Sequence, residues 1–365
     1  MSATTTVLPR LRSALDDLPV YRAGQPAGAG DAGKLSANEN PFAPLPAVLQ
    51  IVAGAAATLN RYPDPASTAL TEAIAGRYGL AAEQVAVGAG SVALCQQLVN
   101  ATATTGDEVV FAWRSFEAYP IVARLADATP RPVPLTTDGE HDLDAMLAAV
   151  RPRTRLVFVC NPNNPTGRTI PAGDLAAFIA EVPPDVLVVL DEAYAEFVRD
   201  PAFASATTLL DAHANVCVLR TFSKAYGLAG LRIGYALGHP TVAEALRKTT
   251  TTFAVTALAQ DAAIASLAAE NELAARVTAI VESRDRLHAE LHRYGWPVGP
   301  SEANFVWVDD DGRGSALVRA CEQAGLSVRA FPGEGIRITI GTEQANQQVG
   351  AAAAHAATAI IDDAA

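Results

Sequence analysis

A lysine, an acid and a glycine-bounded turn each stand directly after an apolar run in this chain, and together they could bind and transform a small anionic molecule. The lysine is Lys224, which ends TFSK (221–224) after the run 216–220. An amine there could form an imine with a carbonyl compound or carry a proton. Asp191 opens DEAY (191–194) after the run 186–190, with Tyr194 adding a hydroxyl; a carboxylate in such a place can keep a neighbouring base protonated. NPNNPTG (161–167) follows the run 155–160. GAGS (88–91) lies between a strand pattern and a helix pattern beginning near Val92, an arrangement that presents backbone N–H groups to an anion. The fifth segment, 227–234, carries Arg232 between glycines. Singly, each has a plain structural reading: a turn, a helix cap, a solvated charge, a packing loop.

The elements that must position these residues are legible from hydrophobic pattern. Strand patterns occupy 84–87, 108–112, 131–135, 155–160, 186–190, 216–220 and 231–237, and helix-period segments such as 92–102, 142–150 and 172–181 alternate with them. Runs such as LVFVC and VLVVL are wholly apolar, as expected of strands buried on both faces of a mainly parallel sheet. Ligands of such sheets sit beyond the C-terminal ends of the strands, where all five segments fall. After about Thr256 an Ala-rich helical stretch runs to about Tyr294. Strands at 304–308, 327–329 and 336–340 follow, with a helix between them and a final helix. The expected organisation is a large domain at 46–265, a small α/β domain at 266–365, and an N-terminal arm at 1–45 that contributes to the small domain.

Composition narrows the function classes. The chain has 365 residues, half of them apolar, and a net charge of −12. That balance speaks against a nucleic-acid surface, which needs a Lys/Arg excess, but leaves room for a local arginine site. The four cysteines are far apart and are read as buried free thiols rather than disulfides or a zinc site. The six histidines, His288 and His292 among them, are read as surface residues, and no metal site is expected. No leader-like or membrane-length apolar run is present, so a soluble cytoplasmic protein is expected.

NPNNPTG, then DEAY, then SK followed by GLAGLRIGY, in this order and spacing, resemble the fold-type I pyridoxal-phosphate aminotransferases. The resemblance runs from SANENP (36–41) to RITI (337–340). It implies an α/β fold with a mainly parallel seven-stranded sheet flanked by helices, a small C-terminal domain and an arm. It implies pyridoxal 5'-phosphate joined to Lys224 as an imine, with Asp191 at the pyridine nitrogen and Tyr194 and Asn164 at the phenolic oxygen. Ser91, Val92, Ser223 and Arg232 would hold the phosphate, and Phe116 would stack on the ring. Arg337 would grip the substrate carboxylate, with Tyr21 and Asn40 closing over it. Tyr62 would reach the phosphate of the neighbouring subunit, making a homodimer with shared active sites.

Within that family the ANENP opening, RYPD (61–64) and RITIG (337–341) are similar to the histidinol-phosphate aminotransferase branch, which includes actinobacterial aromatic amino-acid aminotransferases. WRSFEAY (113–119) and Phe253, where a tyrosine is usual in the histidinol-phosphate enzymes, favour the aromatic group; losing that hydroxyl removes a hydrogen-bond donor to a phosphorylated side chain and favours an apolar ring. Arg329 matches an arginine that binds substrate phosphate and could serve either substrate. The expected activity is aromatic amino acid (phenylalanine or tyrosine): 2-oxoglutarate transamination in two half-reactions through a pyridoxamine form. The alternatives are histidinol-phosphate transamination, a related pyridoxal-phosphate decarboxylase, or a non-catalytic regulator, for which the chain shows no added DNA-binding segment.

Overall fold

The computed structural model describes residues 33–364 together with Arg12, Leu15 and Leu18. Seven strands form the larger sheet: β1 Val85–Gly88, β2 Glu108–Trp113, β3 Thr129–Pro134, β4 Thr154–Cys160, β5 Leu187–Asp191, β6 Val216–Thr221 and β7 Gly234–Gly238. Their order is β1-β7-β6-β5-β4-β2-β3. All neighbours are parallel except β7, which runs against both β1 and β6. The C-terminal ends of the other six strands and the start of β7 therefore share one edge of the sheet.

Side chains of the central strands part alternately into two buried layers, as a period of two requires. Leu156, Phe158 and Cys160 of β4, Val189 of β5, and Cys217 and Leu219 of β6 join one layer. Val157, Val159, Val188, Leu190, Val216 and Val218 join the other. The first layer is covered by α3 (Ser91–Thr102), α4 (Ala118–Leu125) and α7 (Pro240–Thr249), which supply Leu94, Leu98, Val122 and Leu246. The second receives α6 (Ala172–Glu181) through Leu175, Phe178 and Ile179, one helical face at i, i+3 and i+4. The earlier helices are α1 (Pro46–Ala55) and α2 (Thr68–Tyr78), with α5 (Leu143–Ala149) between β3 and β4.

The edge strand β3 contains Pro130, Pro132 and Pro134, a composition that a central strand would not tolerate. The alternation solves this. The odd-numbered residues face β2, as the amides of Thr129 and Leu135 donating to Asp107 and Trp113 show, so the missing proline N–H groups fall on the open side.

Beyond the large sheet, α8 (Ala257–Ala268) and α9 (Glu270–Arg293) divide the single helical stretch expected from 256 to 294. The break is at Ala269 (φ −98°, ψ 41°), a residue type that gives no sign of a stop. A second sheet follows, with β8 (Phe305–Asp309), β9 (Arg329–Phe331) and β10 (Gly335–Thr339) in the order β8-β10-β9, all antiparallel, with α10 (Gly314–Gln323) and α11 (Glu343–Ala364) beside it. Residues 33–38 run along this sheet: the Leu35 amide donates to Ser327, and Thr339 donates to Leu35.

Two strand boundaries differ from the sequence reading. The strand expected at 327–329 begins only at Arg329, because 327 is engaged with residues 33–35. The strand expected at 231–237 begins at Gly234, because Ala229–Leu231 is a 3₁₀ turn and Arg232 is left-handed (φ 51°). Gly234 permits that turn to pack: a Cβ there would lie 2.9 Å from both the Arg220 carbonyl oxygen and the Ser91 nitrogen.

All four cysteines are buried free thiols. Three histidines depart from the surface reading: His141 is buried, and His213 and His288 are half-buried. Among the described residues no His, Cys, Asp or Glu cluster could hold a metal ion, and no helix is long and apolar enough to cross a membrane.

Candidate active site

Parallel topology delivers three of the chemical segments to one place. NPNNPTG leaves the end of β4, Asp191 ends β5, and TFSK leaves the end of β6; β4 pairs with β5 and β5 with β6. GAGS follows β1 and Arg232 precedes β7 at the same edge.

Lys224 is fixed through its backbone and its side chain. Its carbonyl closes a turn to the Gly227 amide at 3.1 Å, where Gly227 is left-handed (φ 69°). Its Nζ donates to the carbonyls of Ala37 (3.2 Å) and Asn38 (3.3 Å), contributed by the segment beside the small sheet. Burial, aided by the positive field of Arg337, lowers its pKa from 10.5 to about 7. Near neutral pH a large fraction of this amine is unprotonated and nucleophilic.

The two acids of DEAY part to different tasks. Glu192 is buried in a structural ion network, accepting from Ser205 Oγ (2.7 Å), the Ala206 amide (2.6 Å) and Arg220 (2.8 Å). Asp191 is equally buried, but only its Oδ2 is engaged, by the Tyr119 hydroxyl at 3.0 Å. Its Oδ1 has no hydrogen-bond partner among the described residues. Burial raises the Asp191 pKa to about 6, opposed first by the Tyr119 hydrogen bond, then by the nearby Ala193 amide and by the charge of Lys224. A buried carboxylate oxygen without a donor carries a large desolvation cost, which a cationic N–H would offset.

Tyr194 lies edge-on to Phe305 (5.2 Å), and burial pushes its hydroxyl pKa upward, so it remains a protonated donor across the neutral range. The hydroxyl accepts from Asn38 Nδ2 at 2.9 Å. Asn164 accepts from Arg337 Nη1 at 2.5 Å through Oδ1, so its amide offers a ligand its NH₂ end. Arg337 Nη2 donates to the Ser36 carbonyl at 2.6 Å. These contacts bind β10 of the small sheet to the loop after β4.

The anion cup is assembled from backbone. Gly90 caps α3 with φ 84°, and the first amides of that helix, at Ser91 and Val92, have no intrahelical acceptor. Val92 is exposed, so its amide rather than its side chain suits an anion. Arg232 Nη1 reaches Ser223 Oγ at 3.4 Å and the Ala229 carbonyl at 3.0 Å. A Cβ on Gly90 would lie 2.5 Å from Arg232 Nη2, so the guanidinium sits over the turn only because residue 90 has no side chain.

The remaining residues singled out from sequence lie as follows. Phe116 is partly buried, edge-on to Tyr119 at 5.6 Å. Asn40 donates to the carbonyls of Lys224 (3.1 Å) and Ala225 (2.9 Å), which makes it a strap on the lysine turn. Tyr62 and Phe253 stack on each other at 4.5 Å and are both exposed, Tyr62 by 81%. Arg329 pairs with Glu117. Tyr21 lies outside the described residues.

Two residues with a place in the site were not singled out from sequence. Tyr119 is fully buried, stacked on Phe158 at 4.3 Å, and holds Asp191. An aromatic on the inner face of α4 looks like ordinary core, and its place at the end of WRSFEAY gave no hint of a role beside Asp191. Asn38 is left-handed (φ 54°), donates to Tyr194, and accepts from Thr339 Oγ1 (3.1 Å) and, through its carbonyl, from Asn304 (3.1 Å) and Lys224. A second asparagine beside Asn40 was the available hint.

Comparison with known proteins agrees with this geometry. The model of the family "Aminotransferase class I and II" matches residues 31–353. Aromatic amino acid aminotransferases of Streptomyces avermitilis and Thermobifida fusca are 53% and 56% identical over 340 residues, 93% of this chain and 95% and 94% of theirs. The solved histidinol-phosphate aminotransferase of Sinorhizobium meliloti, in complex with pyridoxal-5'-phosphate, aligns with a TM-score of 0.88 at 31% identity, covering 98% of this chain and 100% of that one. By sequence over most of its length and by the architecture of its site, this chain belongs to the class I and II aminotransferases.

Proposed function

We propose that the chain transfers the amino group of phenylalanine or tyrosine to 2-oxoglutarate, with pyridoxal 5'-phosphate as cofactor. One observation carries the chemistry. The depressed amine of Lys224 and the buried, unpartnered Oδ1 of Asp191 lie close enough to shift each other's charge equilibria, beside a helix N-terminus backed by Arg232. An aldehyde, a ring nitrogen and a phosphate are the complements of those three features.

When bound, the cofactor supplies an aldehyde and a ring that accepts an electron pair from the substrate's α-carbon. The chain's residues do the rest. Lys224 would hold the cofactor through its amine, and the same amine, when free, could move the proton at the substrate's α-carbon. Asp191, ionised above about pH 6, keeps a ring nitrogen protonated. Tyr194 and the Asn164 amide would donate to the ring's oxygen, Phe116 would offer a stacking face, and Ser91, Val92, Ser223 and Arg232 would hold the phosphate. Arg337 fixes the α-carboxylate with a geometry that a lysine would not match.

The exposed Tyr62–Phe253 pair, with Leu59 also exposed, supports a homodimer in which Tyr62 completes the neighbour's phosphate site. The cytoplasm, which holds free amino and oxo acids, is the proposed place of action.

The substrate class rests on the relatives named aromatic amino acid aminotransferase at over 50% identity. Steady-state turnover with 2-oxoglutarate tests it: kcat/KM for phenylalanine or tyrosine should exceed that for histidinol phosphate by at least ~10-fold. The reverse preference overturns the aromatic reading, and carbon dioxide release in place of amino transfer points to a decarboxylase.

The lysine also has a pH signature. Only the neutral amine attacks an aldehyde, so capture of the cofactor by ligand-free protein should accelerate as pH rises through about 7 and level off above it. Stopped-flow absorbance measures this. A rate still climbing toward pH 10 would show an ordinary lysine.

A further inference from the structure

Asn38 is buried between the small sheet and the lysine turn, and every polar atom it carries is engaged. Its backbone is left-handed (φ 54°), a conformation that asparagine and aspartate adopt more readily than most residues bearing a β-carbon. Its backbone N–H donates to Thr339 Oγ1 at 3.0 Å, and the same hydroxyl donates to Asn38 Oδ1 at 3.1 Å. That reciprocal pair fixes the oxygen end of the side-chain amide toward β10. The NH₂ end therefore faces Tyr194, to whose hydroxyl it donates at 2.9 Å. A hydroxyl that accepts one hydrogen bond keeps its own proton for another group. Among the described residues no acceptor takes that proton, although Tyr194 is buried.

We propose that Asn38 is a positioning residue: by donating to Tyr194 it commits the tyrosine's proton to the ring oxygen of the cofactor. The inference rests on the reading of Tyr194 as a donor to that oxygen. Accepting from an amide also polarises the hydroxyl and makes it a stronger donor. A hydrogen bond donated to the ring oxygen favours its anionic form and draws charge from the imine nitrogen joined to Lys224, which lowers that nitrogen's affinity for a proton. The Asn38 carbonyl accepts from Lys224 Nζ and Asn304 Nδ2, so one residue links the tyrosine, the lysine and the small sheet. The charged and titratable groups around Tyr194 are Arg337 of β10, Lys224 after β6, and Asp191 and Cys160 at the ends of β5 and β4. None of them is altered in the variants that follow.

The test titrates the visible absorbance of the holoenzyme with pH, a readout independent of turnover. Asn38→Gly permits the left-handed backbone and its carbonyl contacts but removes the donor. Its midpoint should rise by roughly half a unit, the scale of one net hydrogen bond. Asn38→Asp keeps the shape and reverses the bond, because a carboxylate only accepts and so takes the Tyr194 proton from the ring. Its midpoint should rise further, by about one unit or more. Tyr194→Phe should raise the midpoint by itself. Asn38→Gly added to Tyr194→Phe should do nothing more, and Asn38→Asp added to it should keep only a smaller shift due to its charge. Thermal melting of ligand-free protein checks the fold, and Asn38→Asp, which fills the native space, carries the test should glycine unfold the segment. Unchanged midpoints in the Asn38 variants, or an Asn38→Gly shift that survives in Tyr194→Phe, overturn the proposal. So does a lower melting temperature without any shift, the mark of a mere strut. If Tyr194→Phe itself leaves the midpoint in place, the reading of Tyr194 falls and the proposal with it; movement in Tyr194→Phe but in neither Asn38 variant sinks the proposal alone.

Discussion

Lys224→Ala is expected to abolish transamination, with a loss on the order of 10⁴-fold or more, and to leave the protein without the visible absorbance that marks a lysine-bound cofactor. General acid–base transfer alone contributes about 10²–10⁴-fold, and this variant also loses the covalent anchor. The fold should persist. The side chain's own contacts are two long hydrogen bonds to the Ala37 and Asn38 carbonyls, whereas the turn is held by backbone and by Asn40, which alanine at 224 leaves intact. Circular dichroism and thermal melting check the fold, and absorbance and turnover check the chemistry. Wild-type-like colour in Lys224→Ala would place the covalent bond elsewhere.

Asp191→Asn should separate catalysis from binding. Asparagine fills the same space and can still meet the Tyr119 hydroxyl, but it carries no charge to hold a ring nitrogen protonated. Turnover should fall by about 10²–10³-fold, the usual scale for removing one charge-stabilising group from a closed site. Cofactor affinity should change by less than about 10-fold, because the helix N-terminus, Arg232 and Lys224 remain. Titration of cofactor into ligand-free protein, alongside steady-state kcat, reads both quantities. Small and equal changes in the two would mean that the buried Oδ1 serves no ligand. Stability should not suffer, since the substitution removes a desolvated carboxylate whose pKa burial has already driven to about 6.

The sequence was most informative where chemistry coincides with strand ends. LVFVC and VLVVL announced strands buried on both faces, and each was followed at once by polar residues with no reason to be there except a turn or a ligand. Reading failed where identity and conformation part. Leu231 and Arg232 look like the start of an apolar strand, yet they form the turn that swings the guanidinium over Gly90. Ala269 ends a helix with no breaker in sight. The bonds from Asn40 to the backbone of the lysine turn were likewise not visible in the sequence.

By itself the order of residues determined the alternating α/β layers, the family resemblance, and the lysine, acid and arginines on which the chemistry would draw. Those properties are local: a strand's period, a turn's composition and a side chain's functional group are written within a few positions. Only the tertiary structure decided the charge states and pairings. That Lys224 is depressed toward 7, that one oxygen of Asp191 is held by Tyr119 while the other has no donor, and that Arg329 is matched by Glu117 all depend on groups 33 to 212 positions apart. Desolvation and Coulomb energy follow distance in space, which the chain sets only when folded.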